Sequence, residues 1–321
     1  MFLAEDQLIE CVPNFSEGRN QTTIDAIATV IKKIAGVKLM HVDAGYDANR
    51  TVYTFAGKPL SVLEAAYQAV KTANERIDMR LQKGEHPRMG ACDVCPLIPL
   101  QHISMEEVAE LSKQLGKRIG DLGIPVYLYE YSASSPERKS LSFLRKGEYE
   151  SISQKIQHQE WKPDFGPSLF NEKFGMMALG ARKFLIAYNV NLKSKDLSIA
   201  KKIAQDIREI RTKNDGSYES NLLQHVRAIG WWMDEFQCTQ VSTNITDIIA
   251  SPLIEVFDCI RKISGNYGVE VNGSELIGLV PELALRHPRM SVGEAANYLG
   301  LDAVKPFNIR ERVIEYNLRE V

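Results

Sequence analysis

The 321-residue chain contains no apolar run approaching the roughly 20 residues that a spanning helix needs, so no membrane segment is expected. Cysteine is scarce and odd in number: Cys11, Cys92, Cys95, Cys238 and Cys259. That excludes a disulfide framework and suits a reducing, cytoplasmic compartment. Cys92 and Cys95 form a lone C-x-x-C with no second pair at zinc spacing. In a strand, residues three apart point to opposite faces, so the two read as small apolar strand residues rather than a metal or redox site. An excess of one charge sign is missing too. The 39 Lys and Arg stand against 41 Asp and Glu, a net charge of −2, which argues against a broad grip on nucleic acid or an anionic membrane. The opening MFLAEDQLIE carries early acids and no basic segment, so a signal peptide is not expected.

Cofactor and hydrolase signatures are also absent. No G-x-G-x-x-G follows a strand-like run, and no G-x-x-x-x-G-K-[ST], H-E-x-x-H or G-x-S-x-G occurs. The histidines at 41, 86, 102, 158, 225 and 287 never stand at i, i+4 on a helix, so no metal is expected. The tetrapeptide HPRM occurs at 86–89 and again at 287–290, where it leads into a helix start at Ser291 and reads as coincidence.

The apolar periodicity does carry an order. LIECVPNF reads as strand, and Ile24, Ile27, Ala28, Ile31 and Ile34 recur at helical spacing up to Gly36. VKLMHVDAG and TVYTFAG are strand runs, Leu63 to Ile77 a helix, and ACDVCPLIPL a fourth strand. A helix from about Met105 to Ile119 and the strand IPVYLYE follow. The second half repeats the order from KFLIAYNVNL through VEVNGSELIGLVP, with a helical tail from about Pro281. The fold expected is α+β: two ferredoxin-like (βαββαβ-type) α/β sandwich subdomains, 1–178 and 179–321, with a ligand cleft or tunnel between them. The connecting EWKPDFGPSLFNEKFG is amphiphilic rather than small and polar, so it is expected to pack against something.

Within EHPRMGACDVCP, His86 precedes Pro87, which biases it toward an extended or turn conformation at the rim of the fourth strand. Gly84 and Gly90 bracket it and would permit close approach of a ligand. An imidazole near neutral pKa is the natural proton carrier at that rim; a loop-closing histidine bonded to a carbonyl is the plainer reading. Asp43 ends one strand-like run, where side chains commonly reach ligands, although Asp, Gly and Asn are also ordinary turn residues. Arg50, Arg88, Arg182 and Lys183 stand at strand or loop edges, where a solvated face is the usual fate.

The blocks ECVPNFSEGRN, VDAG with NRTVYTFAG, GEHPRMGACDVCPLIP, PVYLYE, WKPDFGPS, GARKFLIAYNVNL and VSTN, in that order, resemble the glutamate formiminotransferase family, and the likeness covers nearly the whole chain. The resemblance implies transfer of the formimino group from N-formimino-L-glutamate to tetrahydrofolate, acting as co-substrate without a metal, in a cytoplasmic homodimer. It implies that His86 is the catalytic acid and base. It places the folate segment on Gly166, Pro167, Ser168, Leu169, Phe170, Asn171, Glu172, Lys173, Phe174 and Gly175, and puts Asn14 and Asp43 in the same cleft. Asp43 is expected to orient or charge the His86 ring, and Arg88, Arg182 and Lys183 to hold substrate carboxylates. Phe165, Phe170 and Phe174 are candidates for the pterin slot. Animal members usually carry an acid at the place of His41, a leucine at the place of Cys92 and a fused cyclodeaminase, which is not expected here. A formyl donor and a folate-binding protein without turnover are the competing readings.

Overall fold

The computed structural model describes residues 6–211, 218–220 and 222–318. The chain divides into two units, Met1–Arg182 and Lys183–Val321. In the first, β1 (Leu8–Cys11) and β2 (Asn14–Phe15) precede α1 (Gln21–Lys32), β3 (Val37–Gly45), β4 (Arg50–Gly57) and α2 (Pro59–Arg76). Then come β5 (Cys92–Gln101), α3 (Met105–Gly120), β6 (Val126–Leu128), the short α4 (Leu141–Arg145) and α5 (Ile152–Lys155), and β7 (Met177–Ala181). The helix starts are written locally. The Asn20 side chain accepts from the Thr23 amide, Pro59 opens α2, and Ser104 with Glu107 forms a capping box on α3.

β3 pairs with β4, β4 with β1 and β2, and both of these with β5, all antiparallel. That is the order of a split βαβ unit. β7 then adds in parallel to β5, and β6 to β7. The short, Gly-containing run MALGA had given no strand signal. It makes a strand because both of its neighbours offer a ladder, so the break expected after residue 178 would have cut through it.

Ile27 and Ile31 of α1, Val70 of α2 and Leu115 of α3 cover one sheet face, packing with Phe15, Tyr53, Phe55 and Leu97. Fully burying each such side chain contributes about 1.5–3 kcal/mol. The other face carries a second, smaller cluster. Leu144, Ile152 and Trp161 lie on Val94, Tyr127, Tyr129 and Ala178, that is, over β5, β7 and β6. Phe165 packs against the helix-side core, and its carbonyl accepts from the Val126 amide at 2.9 Å; the amphiphilic connection is thus part of this unit's wall.

In the second unit, β8 (Ile186–Leu192) leads to α6 (Leu197–Ile207), the paired β9 (Glu209–Arg211) and β10 (Tyr218–Ser220), and the hairpin β11 (Val226–Met233) and β12 (Cys238–Ile245). α7 (Leu253–Asn266), β13 (Val271–Ile277), α8 (Val292–Tyr298), α9 (Ile309–Arg312) and α10 (Ile314–Leu318) complete it. The sheet order β11-β12-β8-β13 repeats the split βαβ arrangement. One row of this sheet is polar: the Trp231 indole donates to Gln240 at 2.7 Å, and the Gln240 amide donates to Asn191 at 2.5 Å. The second HPRM copy precedes α8, whose N-terminus Ser291 and Glu294 close as a capping box. Among the described residues no helix is long and apolar enough to cross a membrane.

Candidate active site

His86 lies on the loop from α2 to β5, and that loop is pinned along its length. The Met79 amide donates to Lys173 O at 2.9 Å. The Gln82 amide donates to Ser16 O and its carbonyl accepts from Asn49, whose Oδ1 in turn accepts from the Gly18 amide at 2.9 Å. The Glu85 amide donates to Asp47 O at 3.1 Å. Gly84 and Gly90 permit close approach of protein backbone, not of a ligand. A Cβ there would stand 2.3 Å from Ala48 O and 2.1 Å from Met176 O.

The His86 ring is partly buried, with Nδ1 2.7 Å from Pro87 O. A carbonyl oxygen can only accept, so Nδ1 carries the hydrogen and Nε2 keeps the lone pair of the neutral ring. Burial lowers the imidazole pKa well below its ordinary value, and the positive charges of Arg50 and Arg145 lower it further; Asp93 opposes them in part. Nδ1 thus fits the plain reading, a histidine bonded to a backbone carbonyl, and Nε2 is left with its lone pair.

The carboxylate that organises this region is Asp93. It is fully buried and accepts from the Met89 amide at 3.0 Å, from Arg50 Nη1 at 2.7 Å and from Arg145 Nη2. Burial alone would raise its carboxyl, but the two guanidinium charges outweigh that and hold it well below the usual carboxylate range. It sits there because β5 bulges: Phe15 pairs with Cys92 but Asn14 with Val94, so Asp93 is the extra residue. The bulge also corrects the expectation for the cysteines. Cys92 and Cys95 both join the helix-side core, where Cys95 Sγ lies 3.5 Å from Cys11 Sγ and within hydrogen-bonding reach of Cys92.

Asn14 belongs to the same network, since its Oδ1 accepts from Arg50 Nε at 3.0 Å. In register, Asp43 lies beside Val52, and Val52 beside Asn14, so the three share one row and one face of the sheet. Asp43 Oδ2 is 4.0 Å from His41 Nε2. The carboxylate whose charge acts on His86, against those of Arg50 and Arg145, is not the expected Asp43 but Asp93. Its signal was present: one acid inside an otherwise apolar strand run. Arg50, expected on a solvated face, is 7% exposed, and Arg145 was not singled out at all.

The segment 166–175 meets the His86 loop at its far end. Ala91 N donates to Phe174 O at 2.7 Å, Met176 N to Met89 O at 3.0 Å, and Gly90 bridges to Gly175. Phe174 is fully buried in the helix-side core, which corrects its assignment as a ligand contact: its ring anchors the turn. Asn171 likewise serves the turn, donating to Gly123 O and accepting from the Phe174 amide. Lys173 Nζ donates to Glu75 O, and Glu172 O accepts from the Tyr149 hydroxyl. Phe170 tilts against Tyr149 at 5.5 Å, while Gly166, Pro167, Ser168 and Leu169 are exposed. Gly175 has φ of +82°, and a Cβ there would lie 2.3 Å from Met89 O. We therefore expect Gly175→Ala to cost more than the roughly 1–2 kcal/mol of a left-handed alanine alone, because the strand pair behind His86 must part. A thermal melt matching that of the unaltered protein would contradict this.

The three basic residues separate. Arg88 is occupied by Glu148 at 3.1 Å and Glu150 at 2.7 Å, and it also donates to Gln82 O. Arg182 stands five residues along β7 from Met177, roughly 16 Å of extended backbone away from the Asp93 end. Lys183 Nζ lies 3.8 Å from Asp247 in the second unit. None of the three is gathered onto the Asp93 network as Arg50 and Arg145 are. Among the described residues, no group of three or more His, Cys, Asp or Glu is arranged to hold a metal ion.

Comparison with known proteins covers both units. The formiminotransferase domain, N-terminal subdomain, matches residues 8–182, and the formiminotransferase domain matches residues 187–288. The chain is 44% identical to formimidoyltransferase-cyclodeaminase of Mus musculus over 97% of its own length, spanning 60% of that protein. It is 41% identical to glutamate formimidoyltransferase of Streptococcus pyogenes serotype M1, over 97% of this chain and 99% of that one. The glutamate formimidoyltransferase of Thermoplasma acidophilum is 40% identical, over 96% and 97% of the two chains.

Proposed function

The chain belongs to the formiminotransferase family, and from that premise we propose that it transfers the formimino group of N-formimino-L-glutamate to tetrahydrofolate. The products are 5-formiminotetrahydrofolate and L-glutamate. N5 of the folate attacks the amidine carbon, forming the new C–N bond. N5 loses its proton to His86 Nε2, and the same proton passes to the glutamate nitrogen as its bond to carbon breaks. The observation that carries this reading is the state of His86: a hydrogen fixed on Nδ1, a lone pair on Nε2, and positive neighbours that keep the ring neutral. The exposed part of the segment, residues 166–169, is the candidate folate contact. Asp43 and Asn14, sharing one sheet face, are candidates to face the reactants. A cytoplasmic homodimer is part of the same reading.

The direct test incubates purified protein with tetrahydrofolate and formiminoglutamate and follows the methenyl chromophore formed on acid treatment. Product from formylglutamate alone would move the donor from formimino to formyl. Folate binding with no product from either donor would point to a binding protein.

The lowered pKa of His86 has a kinetic consequence. Base catalysis needs the neutral ring, and a depressed pKa keeps it neutral as the pH falls. The acid limb of kcat/KM should therefore lie clearly below pH 6.5, the ordinary histidine value. A limb at or above that value would show that the free enzyme does not hold His86 in this state.

A further inference from the structure

The charges around Asp93 do not balance. Arg50 Nη1 and Arg145 Nη2 converge on the same oxygen, Oδ2, of one fully buried carboxylate. Two guanidinium groups against one carboxylate leave one positive charge in excess. Glu148 and Glu150 contact Arg88 rather than Arg50 or Arg145, and their side chains are 41% and 64% exposed, so the charge they have to spare is screened by water and does not neutralise the buried pair. A buried excess charge is costly unless a counter-charge arrives.

The two arginines are not equivalent. Arg50 has a side-chain exposure of 8% and is committed on two sides, to Asn14 through Nε and to Asp93 through Nη1. Arg145 is held at one point only, through Nη2. Its Nε is buried without a hydrogen-bond partner, yet its side chain keeps 18% of its surface open. It stands at the last position of α4, anchored by Asp93 and with donors to spare. Nε shares its edge with the bonded Nη2 and is buried, so a ligand meets the other end of the guanidinium, where Nη1 makes no hydrogen bond. A guanidinium held at Nη2 with Nη1 open fits a planar, singly charged acceptor, which is a carboxylate.

We propose that Arg145 binds the α-carboxylate of the formimino donor, with Asp93 and Arg50 positioning its guanidinium. The inference rests on the reading of His86 and the formimino donor given above. Of the donor's two carboxylates, the α group shares a carbon with the nitrogen that His86 must protonate. A carboxylate held beside His86 therefore places that nitrogen within reach, while the distal carboxylate lies farther along a flexible chain.

The test compares three donors: formiminoglutamate, N-formiminoglycine with only the α-carboxylate, and 4-(formiminoamino)butyrate with only the distal one. The unaltered enzyme should use the first two and use the third poorly. Arg145→Gln should lower kcat/KM for the first two by about 10²-fold more than for the third, chiefly through KM, and a smaller loss shared by all three reports the change its charge makes at His86. Arg145→Lys, which keeps the charge but not the fork, should fall between. An equal loss on all three donors would make Arg145 a structural prop, and no loss on any would remove it from the site; either result overturns the proposal. Should Arg145→Gln melt early, the same comparison is read from Arg145→Lys. Titration with L-glutamate and with 4-aminobutyrate separates this proposal from the reaction itself. Even if no formimino donor turns over, glutamate binding that vanishes in the variant supports the carboxylate site, and glutamate that does not bind the unaltered protein sinks it.

Discussion

His86→Ala is expected to lower kcat by about 10²–10⁴-fold, the usual contribution of one positioned proton carrier. The loss should appear in kcat rather than in affinity. The ring's recorded hydrogen bond is to its own neighbour, Pro87, and the loop around it is held by other groups, from Gln82 and Asn49 to Met89. Removing the imidazole therefore leaves the loop pinned and the Asp93 network intact. Tetrahydrofolate binding, measured by fluorescence titration, should stay within a few-fold of the unaltered protein. The proximity of two bound reactants remains and should support a slow residual rate. A kcat within tenfold of the unaltered enzyme would reject His86 as the proton carrier. A melt shifted by many degrees would show instead that the ring is structural.

Asp93→Asn should be the most damaging substitution for stability. The side chain is fully buried and nearly isosteric with asparagine, so packing is preserved while the charge is lost. Two guanidinium groups then face a neutral amide, one of them almost wholly buried. Breaking a buried pair by removing one partner costs about 3–5 kcal/mol. For a unit of this size that corresponds to a fall of roughly 6–20 °C in Tm. The pH dependence identifies the cause. The Asp93 carboxyl has a folded pKa depressed below its unfolded value, so its contribution is complete above about pH 4 and is lost as the pH falls through the folded value. The gap between the two proteins should therefore narrow as the pH falls below about 4. His86 acts differently. Its lowered pKa favours the unfolded state below about pH 6.5, and more so in the variant, where no Asp93 charge opposes the arginines, so between about pH 6.5 and pH 4 it widens the gap that Asp93 then closes. A constant gap from pH 7 to pH 3 would show that packing, not charge, is what the substitution removes.

The element order was legible because it rests on local periodicity. Ile24, Ile27 and Ile31 keep helical spacing, and all three are buried. Both units adopt the split βαβ order expected of them. The places that were not legible are those where a distant partner decides. MALGA is a strand only because β5 and β6 flank it. Cys92 and Cys95 share a core only because the strand between them bulges. Phe174 reads like a ligand-facing aromatic in its loop, and the core claims it. Arg88 reads like a free cation, and Glu148 and Glu150, some sixty positions later, claim it.

What this chain's sequence determined alone was therefore the class of its elements, the family blocks and the candidate imidazole. Each is a property of neighbouring residues: periodic burial, capping, the conformational bias before a proline, or a contiguous motif. The charge state of that imidazole was decided by tertiary structure. It depends on bringing residues 50, 86, 93 and 145 together from a strand edge, a loop, a bulge and a helix end. Electrostatic energy depends on distance in space and on exclusion of water, and neither quantity is written in the spacing of residues along the chain.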